Sequence, residues 1–207
     1  MKEGLSVVMA VHDQAQDVER NLRAFLSLQC DVPYEVIVVD NSSSDDTPNV
    51  LKRIRGEFPM LYNTFLPKSV VYNPSRLQLA LTVGAKAAHY NRIVLADINR
   101  PPLSDEWLTG LYHNAESSES VVFVYSGRRV TDKISHRCLP SLEYAKPLIL
   151  KAERRSGRGH RGRWLKKRRG LYDAVSVPYE RVHDAIRLFD KIIGQHRLWW
   201  LRLKAKH

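Results

Sequence analysis

The sequence predicts an α/β fold on a mostly parallel sheet, and three observations carry that expectation. Short, valine-rich apolar runs alternate with segments of helical periodicity over residues 5–126. Two of the predicted strands end in an aspartate, Asp40 and Asp97, at the edge where open α/β sheets hold their ligands. The charge is divided. Residues 1–126 hold 11 Lys and Arg against 15 Asp and Glu, a balance of −4, whereas residues 127–207 hold 22 against 7, a balance of +15. An acidic and a basic half imply different tasks.

The run Leu5–Val11 reads as a buried strand. Asp17–Leu28 follows as a helix, with Val18, Leu22, Phe25 and Leu26 at helical spacing. Glu35–Asp40 is the clearest strand and runs into the polar loop Asn41-Ser42-Ser43-Ser44. Asp45 and Asp46 offer N-caps for the next helix, Pro48 suits its first turn, and Val50, Leu51 and Ile54 supply its apolar face. A weaker strand is expected over 62–66, between that helix and a segment punctuated by Pro67 and Pro74. Leu77–His89 reads as a helix and Arg92–Asp97 as another buried strand. Pro101 and Pro102 interrupt the chain; Ser104 then caps a helix whose first turn is expected to carry Asp105 and Glu106. Val121–Tyr125 is a further strand.

Beyond residue 127 the pattern weakens. Lys151–Arg169 contains ten Lys and Arg and one Glu. Glu180–Ile193 reads as an amphipathic helix on Val182, Ile186, Phe189 and Ile193, and the tail mixes Trp199 and Trp200 with cations. No apolar run reaches the roughly 18 to 20 residues needed to span a bilayer, and the N-terminus lacks the pattern of a secretory signal. A cytoplasmic location is therefore expected. Cys30 and Cys138 are too few and too far apart for a zinc site or a disulfide framework. No nucleic-acid motif frames the basic run, and the acidic α/β half argues against a nucleic-acid partner.

Four segments resemble family 2 glycosyltransferases. Ser6-Val7-Val8-Met9-Ala10-Val11-His12-Asp13 resembles the family's opening strand S-V-V-I-P-x-Y-N. Glu35-Val36-Ile37-Val38-Val39-Asp40-Asn41-Ser42-Ser43-Ser44-Asp45-Asp46-Thr47 is close to its E-V-I-V-V-D-D/N-x-S-x-D-x-T. Thr82–Ala88 is similar to its N-x-G-x-x-x-A helix, and Ile93–Asn99 stands where its D-x-D strand belongs. The resemblance covers about the first 125 residues. It implies a GT-A, Rossmann-like fold with helices on both faces of the sheet. Residues 1–126 would form the nucleotide-sugar-binding domain and 127–207 a basic, largely helical segment facing the acceptor or a membrane.

The resemblance further implies a UDP- or GDP-linked sugar donor. Asp40 would accept a hydrogen bond from the base, with Ser42 in the loop beside it. Ala10 and His12 would line base and ribose, and Arg76 would contact the phosphates. Asp97 and Asn99 would hold Mg²⁺ or Mn²⁺ against the diphosphate, because hard cations take oxygen ligands and neutralise charge on the leaving nucleotide. The expected acceptor is a cell-envelope glycan or a lipid-linked one, and an anionic membrane surface is a further expected partner. Three departures stand out. Ala10 replaces the family's proline, and His12 its tyrosine. Asn99 replaces the second acid, so metal binding should be weak and nucleotide-dependent. The E-D pair that supplies the family's catalytic base has no counterpart among Asp132, Glu143 and Glu153, which leaves the catalytic residue unknown and a catalytically degenerate binding or scaffolding protein as the alternative.

Overall fold

The computed structural model describes residues 1–68, 76–102, 104–113, 120–124, 148–151 and 174–189. Its framework is one seven-stranded sheet of order β3-β2-β1-β4-β7-β5-β6. The strands are β1 (Lys2–Val11), β2 (Tyr34–Asp40), β3 (Leu61–Phe65), β4 (Tyr90–Ala96), β5 (Ser120–Val124), β6 (Leu148–Lys151) and β7 (Ala174–Pro178). β1 pairs in parallel with β2 and β4, and β2 with β3. β7 enters antiparallel between β4 and β5, and β6 closes the far edge. Five of the seven strands thus run in one direction, the mostly parallel arrangement that the sequence predicts.

Near-continuous apolar runs suit strands buried on both faces, and every residue of β1 from Gly4 onward is buried. Helices cover both faces. Under α1 (Ala15–Leu26), α2 (Thr47–Glu57) and α4 (Trp107–His113) lies a core of Leu5, Val7, Met9, Val36, Val38 and Val94 with Leu22, Phe25, Leu51 and Ile54. The opposite face buries Val8, Ile37, Val39, Ile93 and Leu95 beneath α3 (Arg76–Lys86) and α5 (Val182–Phe189). Gly84 of α3 explains how closely that helix lies: a Cβ there would stand 2.5 Å from Val8 Cγ1 and 3.1 Å from Val39 Cγ2. The expected amphipathic helix of the basic half is α5, entered through a 3₁₀ turn at Tyr179–Arg181, with Val182, Ile186 and Phe189 buried.

Three local details differ from expectation. Asp105 and Glu106 precede α4 and lie in a turn closed by the Trp107 N–H on the Ser104 carbonyl (3.2 Å), so they are outside its first helical turn. Asp46 makes no capping bond to the backbone of α2; Asp45 does that work, accepting the Thr47 N–H at 3.0 Å. β6 and β7 add strands from the basic half that hydrophobic periodicity did not mark. The run 152–169, Ile193 and the tryptophan-bearing tail lie outside the described residues.

Candidate functional site

The parallel register sets Val11 opposite Asp40, so the chain leaves β1 and β2 at one level of one edge. Two further bonds carry the ladder past the strand ends: Asn41 N–H to the Val11 carbonyl, and Leu66 N–H to the Asp40 carbonyl, both 2.8 Å. Three loops, after β1, β2 and β3, are thereby gathered at the carboxyl ends of the strands, where α/β sheets take their ligands.

Asp40 is the centre of this edge. It is 5% exposed. Its Oδ1 accepts the Ser43 N–H at 2.9 Å and the Ser43 hydroxyl at 2.6 Å. Among the described residues nothing donates to its Oδ2, which is not sealed in; Asp40 lines a cavity of about 310 Å³. The other walls are apolar at Pro48, Leu51, Phe65, Leu66 and Pro67 and polar at Ser42, Ser43, Asn63, Thr64 and Lys68. A buried carboxylate oxygen without a donor is costly, so Asp40 can still accept an N–H on that side.

The loops are tied to one another through Ser43 and two aspartates. The Asp13 N–H donates to Ser43 Oγ at 2.9 Å, and Ser43 Oγ in turn donates to Asp40. Asp13 Oδ1 accepts the Ser44 N–H at 2.7 Å, and Asp45 accepts the Ala15 N–H at 3.0 Å. The Ser44 backbone bond leads the causes that hold the Asp13 carboxyl below its ordinary value. For Asp45, partial burial pushes upward, and the bonds from Thr47 and Ala15 together outweigh it. Asp13 and Ser42 have φ of 49° and 62°. Left-handed backbone outside glycine persists only where surrounding bonds fix it, as they do here.

Ser42 and Arg76 join this group. The Arg76 guanidinium donates from Nε to Asn41 Oδ1 (2.9 Å) and from Nη2 to Ser42 Oγ (2.7 Å) and the Pro67 carbonyl (3.0 Å). Ser42 Oγ donates to the Leu66 carbonyl at 2.7 Å. Arg76 therefore braces the loops after β2 and β3 from the first residue of α3. Ala10 is buried in the core beneath α3, and His12 is exposed at the end of β1, its Nε2 3.5 Å from Asp13 Oδ2.

Asp97 and Asn99 follow β4, on the far side of β1 from Asp40 and at the same edge; two strand spacings make about 10 Å. Asp97 Oδ1 accepts both the Asn99 N–H (3.1 Å) and the Asn99 side-chain amide (3.0 Å). Asn21 of α1 anchors the turn by donating to the Ile98 carbonyl at 2.9 Å. With its N–H₂ toward Asp97, Asn99 directs its carbonyl oxygen elsewhere. Among the described residues no group of three or more His, Cys, Asp or Glu could hold a metal. Mg²⁺ or Mn²⁺ could be held here only with Asp97 as a single carboxylate ligand and the remaining positions filled by oxygens from outside the protein, a mode that magnesium commonly uses.

Of the sequence-predicted residues, the structure brings Asp40, Ser42 and Arg76 together and sets His12, Asp97 and Asn99 along the same edge. Sequence reasoning missed Ser43, Asp13 and the β3 wall of the cavity. The signal for Ser43 was present, since a hydroxyl three residues after a strand-end acid is placed to bond back to it.

The model of the family described as Glycosyl transferase family 2 matches residues 6–177. No curated protein matches the sequence. Among solved structures, the chain is similar to a mannosyltransferase from Pyrobaculum calidifontis in complex with GDP-Man and Mn²⁺, at 21% identity and a TM-score of 0.48 over 58% of this chain and 35% of that one. S. aureus TarS in complex with UDP-GlcNAc gives 21% identity and a TM-score of 0.47 over 58% and 33%. The bifunctional glycosyltransferase WbbM gives 14% and 0.44 over 60% and 23%. The chain spans about a third of the length of the first two.

Proposed function

The chain belongs to glycosyl transferase family 2, and from that premise we propose that it binds a nucleotide-diphosphate sugar at the Asp40 edge and transfers the sugar to an acceptor. The observation that carries this reading is the buried Asp40 carboxylate, one oxygen of which accepts twice from Ser43 while no described residue donates to the other, at the wall of a cavity of about 310 Å³.

In this reading the base enters that cavity and donates a ring N–H to Asp40 Oδ2. Ser42 and Arg76 hold the loop that carries Asp40, and Arg76 lends positive charge to the phosphate side. His12, exposed at the same edge, would stand beside the ribose, whereas Ala10 is buried in the core and is not part of the cavity wall. The diphosphate extends along the edge toward Asp97, which would hold Mg²⁺ or Mn²⁺ only with the nucleotide present. A cation held there would supply charge neutralisation for the departing diphosphate. Asn99 keeps Asp97 oriented through its two donated bonds.

The acceptor we propose is a cell-envelope glycan or lipid-linked saccharide met at the cytoplasmic face of a membrane. The basic half, at +15, would attract anionic lipid. Among the described residues no helix is long and apolar enough to cross a membrane. One observation favours a second reading, a nucleotide-sugar-binding protein without turnover: Asn99 stands where a second acid would add charge.

Isothermal titration with UDP, GDP and their sugars, with and without Mn²⁺, tests the proposal. Binding of at least one nucleotide, strengthened by Mn²⁺ and lost in Asp40→Ala, is the expected result. No binding, or binding unaffected by Asp40→Ala, overturns it. Release of nucleotide diphosphate from the bound sugar separates the transferase from the binding-only reading.

A further inference from the structure

We propose that Phe65, at the end of the edge strand β3, is a stacking platform for the base of the bound nucleotide. The inference rests on the nucleotide reading above and adds a binding residue to it.

Side chains alternate along a strand, so Leu61, Asn63 and Phe65 share one face of the sheet, the face beneath α2. Cover falls away along that face. Leu61 is 1% exposed, Asn63 is half-buried with its Oδ1 accepting from Arg55 Nη1 at 3.2 Å, and Phe65 is 73% exposed. β3 is the outermost strand at its side of the sheet, so no further strand shelters the ring. Among the described residues Phe65 belongs to neither core and meets no other ring. A phenylalanine left in water forgoes the gain that burial would bring. Single exposed apolar residues are ordinary on protein surfaces; what distinguishes Phe65 is its position.

Phe65 is the parallel register partner of Asp40, and the Leu66 N–H, donated to the Asp40 carbonyl at 2.8 Å, fixes its backbone there. Register partners on neighbouring strands stand about 4.8 Å apart and send their side chains to the same face. Both line the cavity of about 310 Å³, together with Pro48 and Leu51 of α2. A planar ring that brings an edge N–H to Asp40 passes its flat side along the neighbouring side chain. Offset and tilted ring pairs set their centroids about 4.5 to 7 Å apart, a separation that one strand spacing supplies. The same ring can therefore bond to Asp40 by its edge and rest on Phe65 by its face.

Every base has a π face, so stacking on an aromatic side chain is tolerant of base identity. Phe65 adds affinity without selecting the base, and selection stays with the groups that meet the ring's edge.

Isothermal titration of UDP and GDP into the parent, Phe65→Ala, Phe65→Leu and Phe65→Tyr tests the proposal. Phe65→Ala should bind each nucleotide that the parent binds about tenfold more weakly, by the same factor for each, as loss of a base-stacking ring does. Phe65→Leu keeps the apolar bulk and should still be weakened, whereas Phe65→Tyr keeps the ring and should bind as the parent does. Urea unfolding of the variants should match the parent, since so exposed a ring adds little to the fold. In nuclear magnetic resonance spectra the base protons should move upfield on binding to the parent, under the ring current of Phe65, and that displacement should vanish in Phe65→Leu. Unchanged affinity in Phe65→Ala, with binding still lost in Asp40→Ala, overturns the stack and leaves the nucleotide reading standing. Phe65→Leu that binds as tightly as the parent and displaces the base protons equally also overturns it. A parent that binds neither nucleotide overturns this inference together with the nucleotide reading.

Discussion

The two ends of strand β2 each carry a buried acid, and they are finished differently. At its start, Glu35 is 3% exposed and both of its oxygens are answered. Oε1 accepts the Ser6 hydroxyl at 2.6 Å and the His89 N–H at 2.8 Å, and Oε2 faces His89 Nδ1 at 2.7 Å. At its end, Asp40 is 5% exposed, with one oxygen answered twice and the other by none of the described residues. The first acid fastens β1, β2 and the entry to β4 together. The second is held in place by Ser43 and left incomplete toward a cavity. Burial alone does not distinguish the two carboxylates; the accounting of their lone pairs does.

The largest effect that would sharpen this contrast is at Glu35. Glu35→Ala strands the buried Ser6 hydroxyl and the His89 N–H, and should cost about 2 to 3 kcal/mol of stability, read by urea unfolding, while leaving nucleotide affinity unchanged. A stability loss below about 0.5 kcal/mol would show that the network at that end adds nothing beyond surface contacts. Gly84→Val comes next. It drives a side chain into Val8 and Val39 and should cost about 2 kcal/mol, with α3 displaced and Arg76 moved from Asn41 and Ser42. Nucleotide binding should weaken along with stability, because Arg76 starts that helix.

A smaller effect concerns pH. Asp13 and Asp45 have carboxyls below the ordinary value of 3.8. A depressed acid stabilises the fold above its unfolded value and loses that contribution as pH falls through the folded one. Cohesion of the loops after β1 and β2 should therefore hold above about pH 4 and fail below it, seen as faster amide exchange at Ala15 and Ser44. Asp13→Ala, which removes the acceptor of the Ser44 N–H, should expose Ser44 already at neutral pH; unchanged exchange there would separate Asp13 from the loop's order. The smallest effect is at Asn99. Asn99→Asp adds a charge beside Asp97 and should tighten nucleotide-dependent Mn²⁺ binding by about tenfold or less, a single added ligand charge. No change in Mn²⁺ affinity would place the cation away from this turn.

The sheet was legible because β1, β2 and β4 each contain a continuous apolar run, Val7–Val11, Val36–Val39 and Ile93–Ala96, which suits a strand covered on both faces. Asp40 and Asp97 could be set on one edge from strand order alone. Side-chain accounting could not be read in advance: whether Asp40 is satisfied depends on Ser43 being held by Asp13, a residue 30 positions away. β7 was invisible for a related reason. Ala174–Pro178 is short and carries a buried serine, Ser176, whose hydroxyl accepts from Arg92 Nε at 3.0 Å, so its pairing with β4 is a tertiary choice. Asp105 and Glu106 were assigned to a helix on charge preference, whereas the Ser104 turn placed them ahead of it.

The central claim is that Asp40 reads a ligand while Glu35 only holds the sheet. Thermal melting of the parent, Asp40→Ala and Glu35→Ala with and without saturating UDP tests it in one experiment, since a ligand that binds only the folded state raises the midpoint. Glu35→Ala should melt lower yet keep the parent's upward shift with UDP. Asp40→Ala should melt close to the parent and lose the shift. An Asp40→Ala protein that keeps the full shift, or a Glu35→Ala protein that folds and loses it, would contradict the account.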